Sequence, residues 1–74
     1  MKKQIYRVAY THYSKPFHIP YTWYMLVKAV SEDDAYDIAK HLTHNIEFIE
    51  INKQQDESKI KYTIYRRTKK GIVE

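Results

Sequence analysis

Asp37, His41 and His44 are the residues whose types and spacing come nearest to a chemical site. A carboxylate and two imidazoles at i, i+4 and i+7 share one face of a helix. Such a set can hold zinc or pass a proton between acid and base. A histidine near a helix C-terminus also has a purely electrostatic reason to be there, because that end of the dipole favours a cation. No second ligand cluster stands at motif spacing. The chain has no cysteine, so neither thiolate zinc sites nor disulfides are available. Its single glycine, Gly71, excludes glycine-rich phosphate loops, which need backbone approach without a Cβ. No nucleophile–base pair is recognisable. The expectation is a protein that is not an enzyme, with no cofactor, no metal and no small-molecule substrate.

Binding is the other chemistry on offer. Arg7, Tyr24, Lys28, Lys61, Tyr65 and Arg67 fall on one side of the strands described below. Cations interleaved with rings suit single-stranded nucleic acid, where phosphates meet Lys and Arg and bases stack on aromatics. Arg7, Lys28, Lys61, Arg66 and Arg67 would then contact phosphate, and Tyr24 and Tyr65 would stack. Strand tyrosines are also good sheet formers, and lysines keep a small domain soluble. Leu26, Ile49 and Ile51 fall on the same face and suit a homodimer or a protein partner instead. Arg66, Arg67, Lys69 and Lys70, with Lys2 and Lys3, make a basic end that fits phosphate, an acidic protein or simply solvent. The segment with His12, Tyr13, Lys15, Phe17 and His18 reads as a loop in which Phe17 is either an interface anchor or part of the core edge.

These residues need elements to position them. Residues 5–13 alternate, with Tyr6, Val8 and Tyr10 against Ile5, Arg7, Ala9 and Thr11, which reads as a strand. Ser14, Pro16 and Pro20 break the pattern and predict a loop. Residues 21–30 are dense in aromatic and β-branched side chains and predict a second strand, with Tyr21, Trp23, Met25, Val27 and Ala29 on its more apolar face and Thr22, Tyr24, Leu26 and Lys28 on the other. Ser31-Glu32-Asp33-Asp34 reads as an N-cap with acids in the first turn. Ala35, Ile38, Ala39 and Leu42 recur at helical spacing, and Asn45 suits a left-handed C-cap. Residues 46–53 predict a third strand, with Ile46, Phe48 and Glu50 opposed to Glu47, Ile49 and Ile51. A polar turn at 54–58 leads to a fourth strand at 59–67, with Ile60, Tyr62 and Ile64 turned to the core. Residues 68–74 read as a flexible basic tail. The expected fold is one α+β domain over 1–74, ββαββ, a four-stranded mostly antiparallel sheet with one helix packed on one face.

Charge along the chain is blocked. Residues 1–31 hold five cations and no acid, 32–58 hold eight acids against two lysines, and 59–74 hold six cations and one acid, for a net +4. A positive side and a negative side follow. The longest apolar run is too short to span a bilayer, and no targeting pattern leads the chain, so a soluble, cytoplasmic protein without a membrane partner is expected.

The stretch Tyr-Met-Leu-Val-Lys-Ala-Val-Ser-Glu-Asp-Asp-Ala-Tyr-Asp-Ile-Ala over 24–39 resembles a strand–cap–helix join found in small bacteriophage and mobile-element accessory proteins. Lysine outnumbers arginine, and Ile and Tyr are abundant, as in proteins of AT-rich genomes. The resemblance implies a class: small non-catalytic proteins that bind and modulate host or phage machinery, inhibitors of host defence among them, working in the host cytoplasm. The leading expectation is docking of the basic and aromatic surface on nucleic acid or on a nucleic-acid-handling complex. The alternative is a dimeric protein–protein inhibitor that uses the uncovered sheet face or the 12–20 loop.

Overall fold

The computed structural model describes residues 2–68 and 71–73, and for Ile72 and Val73 the backbone only. Two long strands, β1 (Gln4–Ser14) and β2 (Ile19–Ala29), form an antiparallel hairpin that holds one register from Gln4 opposite Ala29 to Ser14 opposite Ile19. The helix α1 (Glu32–Lys40) follows, then β3 (Ile46–Ile51), a 3-10 turn at Glu57–Lys59, β4 (Ile64–Thr68) and a short β5 (Gly71–Val73). Sheet order is β3-β1-β2-β4-β5. All neighbours are antiparallel except β2 and β4, which run parallel. The fold is α+β with the expected order ββαββ and an added fifth strand.

The helix begins where the sequence signals it. Ser31 is the N-cap, and its hydroxyl accepts from the Asp34 amide at 3.2 Å, while Glu32, Asp33 and Asp34 fill the first turn. It ends earlier than expected. His41 is the C-cap in right-handed geometry, and the amides of Leu42 and Thr43 both close on the Ala39 carbonyl. Asn45 is therefore not the C-cap, and Leu42 and His44 lie beyond the helix. Ala35, Ile38 and Ala39 are buried against Tyr6, Val8, Val27 and Ala29, and this is the main core.

A second, smaller core lies on the opposite side of the sheet. Ile5, Leu26 and Ile64 pack there with Ile60 from the chain preceding β4. Gln55 fastens this covering segment. Its side-chain amide accepts from the Ile5 amide at 2.8 Å and donates to the Ile5 carbonyl at 2.9 Å, so it completes the outer side of β1 as a strand would. Neither face of the base of the sheet is left bare.

Four expectations about the strands change. The loop expected at 12–20 shrinks to residues 15–18, because β1 runs on to Ser14 and β2 begins at Ile19, with His12 already paired opposite Tyr21. The fourth strand starts at Ile64 and not at residue 59, and its parallel register sets Tyr65 beside Val27. Tyr65 therefore packs on the helix side, and Ile64 turns to the far side. In β3 a bulge falls where the partner of Tyr10 is Ile46 while that of Ala9 is Phe48. The extra residue, Glu47, turns to the far face, so Ile46 and Ile49 both reach the helix-side core, and one parity no longer describes the strand. In place of a tail, Gly71–Val73 pairs with β4, and Gly71 holds φ +114°, a backbone conformation that glycine adopts without a Cβ penalty. Lys69, Lys70 and Glu74 lie outside the described residues.

Candidate functional site

Strand and helix lengths create the site. Eleven strand residues extend about 36 Å, whereas nine helical residues span only about 14 Å. The helix covers the base of the hairpin, and the distal half projects as an arm, in a molecule measuring 42 × 25 × 19 Å. Arm residues that the sequence reading placed on an apolar face are exposed for that reason. Trp23 is 52% exposed and Phe17, at the tip, 78%. Tyr13, Ile19, Tyr21 and Tyr24 are exposed as well. His12 lies against Trp23 with ring centroids 4.8 Å apart. The tip itself carries His18 at φ +53°, whose amide donates to the Ser14 carbonyl at 2.7 Å.

The expected phosphate-binding cations are engaged elsewhere. Arg7 pairs with Glu50, and its guanidinium lies 4.5 Å from the centre of the Tyr24 ring. Lys28 and Arg66 converge on Glu57 at 2.6 and 2.7 Å. Arg67 reaches the helix acids Asp34 and Asp37 and so belongs to the helix side, not to the face expected for it. Of that expected face, Arg7, Tyr24, Leu26 and Lys28 do share one side, while Tyr65, Arg67, Ile49 and Ile51 do not. Leu26 is buried in the second core, which removes it as an interface residue, and Ile51, opposite Tyr6, remains exposed. Lys61 is exposed, and Lys69 and Lys70 lie outside the described residues.

Two carboxylates respond to these pairings. Hydrogen bonds from Lys28 and Arg66 hold the Glu57 carboxyl below the ordinary glutamate range. Asp37 is lowered by its hydrogen bond from Lys40 and by the nearby Arg67 and His41 charges. Asp37, His41 and His44 do not form a ligand set. Asp37 is taken by Lys40 and Arg67, the His41 Nδ1 lies 2.7 Å from the Asp37 carbonyl oxygen, and His44 is past the helix end. Among the described residues no group of three His, Cys, Asp or Glu is placed to hold a metal ion.

A broad open concavity runs from the arm to the segment that precedes β4. Trp23, Tyr24, Lys59, Lys61 and Tyr62 line it, Tyr62 being 80% exposed, and no acid is among the lining residues. Lys53, Lys59 and Lys61 make no ion pair among the described residues and supply its charge. The residue pattern points to Tyr24, Lys61 and Phe17 for binding and sets Trp23 and Tyr21 on the more apolar face of the second strand, the face expected under the helix. The mismatch between strand length and helix length is the signal that the helix does not cover them.

No family model matches this chain, and neither a curated protein nor a solved structure matches it. Among the described residues no helix is long and apolar enough to cross a membrane.

Proposed function

We propose that this chain is a non-enzymatic accessory protein that modulates a larger cytoplasmic machine by docking its hairpin arm on a protein component of that machine. The observation that supports this reading is the arm itself: exposed Phe17, Tyr21 and Trp23 on a strand pair held by a small, well-paired base. Aromatic side chains presented on a rigid element are the usual anchors of protein interfaces. The engagement of Arg7, Lys28, Arg66 and Arg67 with carboxylates weighs against a phosphate-tracking surface, because each phosphate contact would first have to displace a partner. Inhibition of host machinery, as in small mobile-element proteins, is a natural form for such a role.

The test is capture of a partner from extract of the source cell with tagged protein, with and without nuclease. A discrete partner retained after nuclease treatment is expected. Phe17→Ala and Trp23→Ala should each weaken capture by about thirtyfold, the size of an interface hot spot. Tyr36→Ala, on the exposed face of the helix, should leave it unchanged. Nuclease-sensitive capture, or tight binding of purified protein to DNA or RNA that falls steeply with salt, would overturn the reading in favour of nucleic acid.

A further inference from the structure

We propose that the outer edge of β2 at residues 20–24 is a strand-acceptor site for an extended, acidic segment of the partner protein. The proposal rests on the reading of the arm as a protein-docking element and names the recognition mode.

The direction of the main chain carries the argument. Thr11 donates its amide to the Asn45 carbonyl at 2.8 Å, on the β3 side of β1. The Ile5 carbonyl faces the same side, accepting from Asn52 at 2.9 Å. Odd-numbered residues of β1 thus direct their main-chain groups away from β2. In an antiparallel pair the residue opposite such a position does the same. Thr22 stands opposite Thr11, and Tyr24 opposite Ala9. The N–H and C=O of Thr22 and Tyr24, and the C=O of Pro20, therefore point out of the sheet. Pro20 fits this parity, since a residue without an amide proton is accommodated where the ladder does not need one.

Nothing among the described residues pairs with that edge. β4 covers β2 only from Leu26 to its partner Ile64 onward, through Lys28 opposite Arg66. The opposite flank of the hairpin is treated differently, being paired by β3 and finished by the Gln55 amide. The open stretch runs into the concavity described above at Trp23 and Tyr24, which line it together with Lys59, Lys61 and Tyr62. An added strand meets both donors and acceptors there, which a phosphate backbone, an acceptor only, does not satisfy. Lys59 and Lys61, which make no ion pair among the described residues, border that surface, and its nearest carboxylate, Glu47, is held by the hydroxyls of Thr11 and Thr22, so a segment whose acids turn to the lysines is the complementary occupant. Pro20 withholds one donor and keeps the pairing short.

The probe is a capped heptapeptide of alternating Glu and Val, compared with its Lys-for-Glu counterpart and with an oligothymidylate of equal charge. Amide shifts and hydrogen exchange are followed on the whole protein. Thr22 and Tyr24 amides are expected to shift and to exchange about tenfold more slowly with the Glu peptide and not with the Lys peptide. N-methylation of one alternate set of peptide amides should abolish the effect, and methylation of the other set should not. Thr22→Pro, which deletes an outward N–H and not a ladder bond to β1, should weaken binding by about tenfold while the melting temperature shows a folded protein.

No protection at Thr22 and Tyr24 up to about 1 mM peptide overturns the proposal. Equal response to the oligothymidylate reduces the site to an anion surface and overturns it too. Protection that rises with protein concentration alone would make the occupant a second copy of this chain. Loss of capture in Trp23→Ala with no peptide effect leaves the docking reading standing and removes strand addition alone.

Discussion

Glu57 is the residue on which the far side of the sheet turns. It is the second acid of a polar stretch that reads as a simple turn, yet Lys28 from β2 and Arg66 from β4 both close on it. It thereby ties the covering segment to two strands. The pairing holds its carboxyl below the ordinary value, so the folded state binds that proton less readily than the unfolded chain does. Stability from this group is present above about pH 4.3, the unperturbed glutamate value, and is lost as pH falls through the lower folded value. Glu57→Gln is expected to lower the melting temperature at pH 7 and to flatten its decline between about pH 5 and pH 3. Thermal melts at a series of pH values check this. A wild-type acid slope preserved in the variant would assign the slope to other carboxylates, of which Asp37 is also lowered.

Each element carries its own logic. The helix is short, and its start is a side-chain cap and not a long favourable run, so the cap matters. Ser31→Ala removes the acceptor for the Asp34 amide and is expected to cost about 1 kcal/mol, lowering the melting temperature by about 4–8 °C. A change under about 1 °C would show that Asp34, whose side chain accepts from the Val30 amide at 3.2 Å, holds the junction without the hydroxyl. The strands behave less locally. The alternation of residues 59–67 looks like one strand, but a chain that first covers Ile5 and Leu26 cannot already be paired beside β2. Pairing begins only at Ile64, and the faces of Tyr65 and Arg67 follow from that register. In β3 the bulge at Glu47 has the same effect: one inserted residue reassigns every side chain after it. Local composition does not encode either shift.

Across the whole molecule, the three charge blocks find one another. Among the described residues, apart from Lys40 with Asp37, each ion pair joins the acidic middle block to one of the basic flanks: Arg7 with Glu50, Lys28 and Arg66 with Glu57, Arg67 with Asp34 and Asp37. Block charge reads as a two-sided surface in the sequence, but much of it is consumed in packing one segment on another. Stability still rests on the core. A chain of this length is stable by roughly 4–11 kcal/mol. Ile38→Ala, at a fully buried position shared by helix and both hairpin strands, is expected to remove about 2–5 kcal/mol, measured by denaturant unfolding. A loss below about 1 kcal/mol would mean that the helix contributes little to the cooperative unit. The sequence by itself determined the α+β class, the helix start at Ser31, the faces of β1 and β2 and the absence of cysteine and glycine-loop chemistry. These are set by cap chemistry, side-chain period and composition, which act within a few residues. Tertiary structure alone decided the parallel placement of β4, the bulge in β3, the commitment of Arg7, Lys28, Arg66 and Arg67 to carboxylates, and the exposure of Trp23 with an open edge beside it. Those depend on which distant segments meet and on how far a nine-residue helix can reach along an eleven-residue hairpin, and such contacts are settled only when the chain closes on itself.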